Sequence, residues 1–203
     1  MKLHYIPTSP NGIKVRAALE HLELKAELIS VNPLYLEHKT PEFLQLNPNG
    51  RLPVLEDGDF VLWESNAILQ YLGTLRPESG FWPSEARAQA DVSRWMCWGL
   101  AHWGPAIAPI LYENLAKRSL GRGEPDSAAV GKALEEFYRC AKVLDPHLEG
   151  RPFVCGDHLT AADFALAPLL LYADPGGVPW RDYARIVKWY QRVADQPSWR
   201  AAL

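Results

Sequence analysis

Along the first 76 residues the apolar positions switch repeatedly between strand-like and helical spacing. Leu3-His4-Tyr5-Ile6 has the length of a short strand, Pro7 to Gly12 is a run of turn formers, and Val15, Ala18, Leu19 and Leu22 then share one face of a helix over Lys14–Leu24. A second strand is predicted over Ala26–Val31, then a polar loop with Asn32-Pro33 and a short helical piece over Pro41–Leu46. Pro53 opens the strand-like Val54-Leu55, Asp57-Gly58-Asp59 is a turn, Phe60–Trp63 is a strand, and Asn66–Leu72 is a closing helix. The resulting order is βαβ, helix, ββ, α.

The pattern lapses at Arg76-Pro-Glu-Ser-Gly-Phe-Trp-Pro-Ser84, which reads as a linker. Beyond it strand signals are few. Helices are predicted over Glu85–Glu113, Ser127–Glu149, Ala161–Tyr172 and Trp180–Asp195, with Pro105 and Pro109 bending or interrupting the first. Thr160-Ala161-Ala162-Asp163 has the spacing of a capping box ahead of the apolar run Phe164–Leu169, which marks a buried helix and a structural role for Asp163. The expected division is therefore a mixed domain over 1–76, a linker over 77–84 and an all-α domain over 85–203.

Composition excludes several classes. With 203 residues, 48% of them hydrophobic, the chain can bury a substantial core. A net charge of −3 offers no basic footprint for nucleic acid, and no run of about eighteen apolar residues points to a membrane span. Cys97, Cys140 and Cys155 have neither C-x-x-C nor metal-ligand spacing, so they read as packed thiols of a reducing compartment, and a cytoplasmic location with no metal is expected.

Two places carry candidate chemistry. At Leu52-Pro53 a proline enters a strand, where a cis bond would turn an open backbone edge outward, and at Glu64-Ser65 a helix begins whose free amides can hold a carboxylate. Ser9 and Asn11 put a hydroxyl and an amide where the first strand hands over to the first helix. On these residues alone, Ser9 and Ser65 are equally well read as caps and Pro53 as turn chemistry.

The ordered set of motifs adds a family. Ser9-Pro10-Asn11-Gly12-x-Lys14-Val15, Pro41-Glu42-Phe43-Leu44 leading to Asn47-Pro48, Leu52-Pro53-Val54-Leu55, Glu64-Ser65-x-Ala67-Ile68 and Gly156-Asp157-x-Leu159-Thr160-x-Ala162-Asp163 resemble the cytosolic glutathione transferases, and the Pro-Asn-Gly loop resembles a serine-type, nu-like bacterial branch. The resemblance implies an α/β thioredoxin-like N-terminal domain plus an all-α C-terminal domain. It also implies glutathione as co-substrate, its thiolate attacking a small hydrophobic electrophile in a detoxification reaction.

Of the site residues, Ser9 is implied as the activator of the sulfur, with Asn11 competing for that role and Tyr5 set aside as a sheet residue. Glutathione would be held by Glu64 and Ser65 at its γ-glutamyl end, by Leu52 beside Pro53 through backbone pairing, and by His38 or Arg51 at its glycyl carboxylate. Trp98, Trp103 and Tyr112 are candidates for the electrophile wall, alongside Trp95 and the polar His102 and Arg94. A homodimer is implied, with Phe60, Trp63 and Trp82-Pro83 as exposed apolar candidates. Two other readings stay open: a glutathione-dependent disulfide reductase on the same scaffold, and a non-catalytic glutathione-binding module.

Overall fold

The computed structural model describes residues Met1–Leu203 and divides into two compact units, Met1–Ser84 with Asp195–Leu203, and Glu85–Ala194. The expected boundary at the linker thus has a counterpart near Ser84. The last nine residues depart from the expected division, because they cluster with the N-terminal unit instead of the helical one.

The first unit is built on strands β1 (Lys2–Tyr5), β2 (Glu27–Ser30), β3 (Val54–Asp57) and β4 (Phe60–Trp63), in the sheet order β2-β1-β3-β4. β1 and β2 are parallel, as a right-handed βαβ crossover requires, and β3 and β4 join antiparallel in a hairpin. Helices α1 (Pro10–His21), α2 (Pro41–Leu46) and α3 (Ser65–Thr74) accompany the sheet. The predicted start of α1 at Lys14 was four residues late, because Pro10 takes the first helical position, where its missing N–H costs nothing. Leu3, Val15, Ala18, Leu55, Ile68 and Leu72 are all fully buried and form the core between sheet and helices. Trp82 is buried too, against Gly73 of α3, so it is not the exposed apolar edge expected of it. A helix that sequence periodicity missed, α11 (Pro197–Ala202), packs on α1, where Arg16 Nη2 donates to Ala201 O at 3.3 Å.

The second unit is helical throughout. Its first run comprises α4 (Ala86–Trp98), a π turn over Gly99–Trp103, α5 (Gly104–Leu111), a second π turn over Tyr112–Ala116, and the short α6 (Lys117–Ser119). Pro105 and Pro109 were expected to bend or interrupt this run: the first π turn ends two residues before Pro105, which sits in the first turn of α5, whereas Pro109 lies inside α5 and the second π turn follows it. The unit continues with α7 (Ser127–His147), α8 (Ala161–Leu166), a 3₁₀ segment over Ala167–Tyr172, α9 (Ala173–Gly176) and α10 (Ala184–Ala194). Asp163 is fully buried, and its carboxylate accepts from the Val154 and Thr160 amides (both 2.9 Å), the Trp189 indole (2.8 Å) and the Thr160 hydroxyl (3.2 Å). Burial pushes this carboxyl upward and the four hydrogen bonds oppose it, so the capping residue is also the polar hub of the helical core.

Candidate glutathione site

Three turns of the first unit carry the candidate residues. In the first, Ser9 is the N-cap of α1 with extended backbone, yet its side chain makes no capping hydrogen bond. Its amide donates to Ile6 O (3.0 Å) and its carbonyl accepts from Ile13 (2.9 Å), so the backbone is fixed while the hydroxyl has no partner in the chain. Gly12 explains why this loop can be so tight, since a Cβ there would lie 2.7 Å from Ile6 O. Tyr5 is buried, with Arg16 over its ring at 5.4 Å, in keeping with a packing role.

The second turn, at the start of α3, is joined to the first. Ser65 Oγ donates to Asn11 Oδ1 at 3.3 Å, and Lys14 Nζ donates to Asn66 Oδ1 at 2.7 Å. Two side-chain bridges therefore lock the start of α1 to the start of α3, more than fifty residues apart in sequence. Lys14 is buried, which pulls its ammonium down from the ordinary lysine range to about 7 while the Glu64 charge works the other way. Glu64 stands exposed as the N-cap of α3 at φ +71°, a left-handed conformation unusual outside glycine. Strain of this kind, of order 1–3 kcal/mol, is characteristic of ligand-binding positions.

The third turn joins His38, Arg51, Leu52 and Pro53. Asn47, itself buried, donates from its amide to Arg51 O (2.8 Å) and accepts from Asn49 N (3.0 Å), and Lys39 Nζ donates to Gly50 O (3.0 Å). Gly50 sits at φ +55°, where a Cβ would meet His38 O at 2.8 Å, so only glycine lets the His38-Lys39 turn approach this closely. Leu52 packs its side chain onto the cluster of Val31, Phe43 and Val54, and the Leu52–Pro53 bond is cis. Neither the amide nor the carbonyl of Leu52 has a partner in the chain. His38 Nδ1 is likewise buried without a partner, and Arg51 is exposed with no ion pair. Unpaired backbone groups beside a strand end are what strand addition by a peptide uses.

Lys39, Asn47 and the Lys14–Asn66 pair did not emerge from the sequence as site residues. Asn47-Pro48-Asn49-Gly50 is a recognisable signal for asparagine bonding to its own turn. Lys14 could have been noticed as a cation set between Ile13 and Val15 on a helix that buries both.

The aromatic residues of the second unit separate by burial. Trp103 is fully buried, donates its indole N–H to Leu166 O (3.2 Å) and packs on Phe137, so it is a core residue and not an electrophile wall. Trp95 is also buried, edge-on to Trp98 at 5.2 Å. Trp98 and Tyr112 are half-buried and remain candidates, while His102 is exposed. Cys140 is buried and Cys155 has its thiol pushed up by burial to about 12, which leaves neither suited to act as a thiolate, and Cys97 is exposed. No group of three or more His, Cys, Asp or Glu side chains is placed to hold a metal.

A loop, a helix start and a strand-entry turn presented by a unit of order βαβ-α-ββ-α, with an all-α unit following in the chain, define a thioredoxin-like domain followed by a helical one. The glutathione S-transferase N-terminal domain family matches residues 1–74, and its C-terminal domain family matches residues 95–197. Glutathione S-transferase 3 of Zea mays is 34% identical over 98% of this chain and 91% of its own length. A glutathione S-transferase from Pseudomonas fluorescens has the same fold at TM-score 0.86 with 33% identity, over 97% of this chain and 96% of that one. The structure of a glutathione S-transferase-I bound with lactoylglutathione superposes at TM-score 0.88 with 29% identity, over 99% and 97% of the two chains. The chain belongs to the glutathione S-transferase family, a family of enzymes that use glutathione.

Proposed function

We propose that this chain binds glutathione on its first unit and uses the Ser9 hydroxyl to hold the sulfur as thiolate for attack on a small hydrophobic electrophile. The observation that carries this reading is the uncommitted Ser9 hydroxyl, on a residue whose own amide and carbonyl are both hydrogen-bonded. A thiol with a pKa near 8.5 is only about 3% ionised at pH 7, and lowering it by roughly two units needs about 2.7 kcal/mol of differential stabilisation. One charge-assisted hydrogen bond, at about 1.5–3 kcal/mol, supplies most of that. Asn11, whose Oδ1 already accepts from Ser65, acts on this reading as a link between the loop and α3.

Glutathione divides by charge over the other residues. Its γ-glutamyl carboxylate meets the Ser65 hydroxyl and the amides opening α3, with Glu64 facing the ammonium. Its cysteinyl backbone pairs with the free amide and carbonyl of Leu52, and its glycyl carboxylate meets His38 or Arg51, with Lys39 close by. Binding of lactoylglutathione by the structural relative supports glutathione-derived ligands here. Trp98 and Tyr112 contribute to the electrophile surface. The protein is read as a cytoplasmic homodimer, and no helix is long and apolar enough to cross a membrane.

Assaying the pure protein with glutathione against an aryl halide and against a glutathione-linked disulfide tests the reading. Conjugation of the aryl halide with halide release is expected. Turnover of the disulfide alone would make the protein a reductase, and turnover of neither would make it a binding module.

A further inference from the structure

Outside the glutathione site, one cleft of the second unit has a charge opposite to that of the molecule. It is an open cleft of about 450 Å³ between the end of α7 and α10. Arg185, Lys188 and Arg192 line it from α10, and Glu149, Arg151 and Pro152 from the segment after α7. The three α10 cations stand at i, i+3 and i+7, one stripe of the helix, while the opposite face buries Ile186, Trp189 and Val193. Four cations thus face one carboxylate on a chain whose net charge is −3.

The wall is partly pre-organised. Arg185 is held by Asp145 Oδ2 (3.1 Å) and Glu149 Oε1 (2.9 Å), and Asp145 Oδ1 is occupied in accepting from the amides of Arg185 (2.9 Å) and Ile186 (3.3 Å) at the start of α10. Arg192 Nη1 reaches Pro152 O (3.5 Å), across the cleft mouth. Arg151 lies against the His147 ring at 2.7 Å and has no carboxylate partner. Lys188 has neither an ion pair nor a hydrogen bond in the chain. Two cations are therefore left without acidic partners beside two held in place.

We propose that this cleft is a second binding site, for a small phosphate-bearing anion, with Lys188 and Arg151 as its principal contacts and Arg185 and Arg192 as its side walls. Guanidinium forks match the paired oxygens of a phosphate, and an ammonium adds a mobile point charge. A concave wall of one sign also raises the local concentration of the opposite ion. The volume falls within the range of small-molecule sites and exceeds what a single chloride or carboxylate would fill.

Isothermal titration of the full chain with inorganic pyrophosphate at low ionic strength tests the proposal. One saturable site per chain is expected, weakened at least tenfold by the double substitution Lys188→Ala and Arg151→Ala and left within twofold by Lys142→Ala, which removes an exposed cation of α7 outside the cleft. Saturating glutathione should leave the pyrophosphate affinity unchanged. Absence of saturable binding, an equal loss in Lys142→Ala, or displacement by glutathione would each overturn the proposal. The substituted residues are exposed, and matching melting curves establish that the variants are folded.

Discussion

At the scale of single residues, the candidate site is defined as much by groups left unpaired as by bonds made. The Ser9 hydroxyl, the Leu52 backbone and His38 Nδ1 have no partner, while the residues around them are tied down by Asn47, Lys39 and Lys14. Lys14 gives this arrangement a pH signature. Unfolded, a lysine keeps its proton to about pH 10.4, whereas folded Lys14 loses it near 7, so above pH 7 the unfolded chain binds the extra proton. Stability attributable to Lys14 must then rise from about pH 7 toward 10, by at most about 1.4 kcal/mol per pH unit. Urea unfolding at pH 6 to 9 should show the wild type gaining on Lys14→Met across that interval. Parallel curves for the two proteins would mean that the buried ammonium keeps its proton. The positions of Ser9, Glu64 and Ser65 at element junctions were legible in the sequence because each lies within an ordered motif. The pairing of buried Lys14 with Asn66 was not, because it joins segments fifty-two residues apart, although its apolar neighbours Ile13 and Val15 hinted at burial.

At the scale of elements, hydrophobic period located every strand and most helices, and errors fell where local signals conflict. The two prolines of the α4–α6 run announce a disturbance but not its form, since a π turn has no compositional signature. The run Pro197-Ser-Trp-Arg-Ala-Ala202 is too short to show a period, and α11 exists because it can pack on α1. By contrast the capping box at α8 was readable from Thr160 and Asp163. Its extent was not, because Val154 and Trp189 reach the same carboxylate from distant segments. Asp163→Ala should cost at least ~3 kcal/mol, since it leaves several buried donors unsatisfied at about 1–3 kcal/mol each. For a chain of this size that lowers the melting temperature by roughly 6–12 °C. Glutathione affinity measured below the transition should stay within about twofold. Unchanged melting with weakened binding would instead make Asp163 part of the site.

At the scale of the whole molecule, the proposed reading gives the two units different tasks: glutathione binding to the first, and half-buried Trp98 and Tyr112 of the second to the electrophile. Phe60 and Trp63 stay 46% and 39% exposed on β4, and on the present account a second copy of the chain covers such apolar surface. Sedimentation at micromolar concentration should give twice the chain mass, and a monomer would remove the dimer from the account. The central claim is that Ser9 makes the glutathione thiolate, and the ultraviolet absorbance of bound thiolate, followed with pH in wild type and Ser9→Ala, tests it most directly. A charge-assisted bond worth about 1.5–3 kcal/mol should, when lost, move the thiol midpoint up by roughly one to two pH units and cut turnover by about ten- to a hundredfold, with glutathione affinity little changed. A midpoint unmoved in Ser9→Ala but raised in Asn11→Ala would contradict the claim and assign the sulfur to the amide.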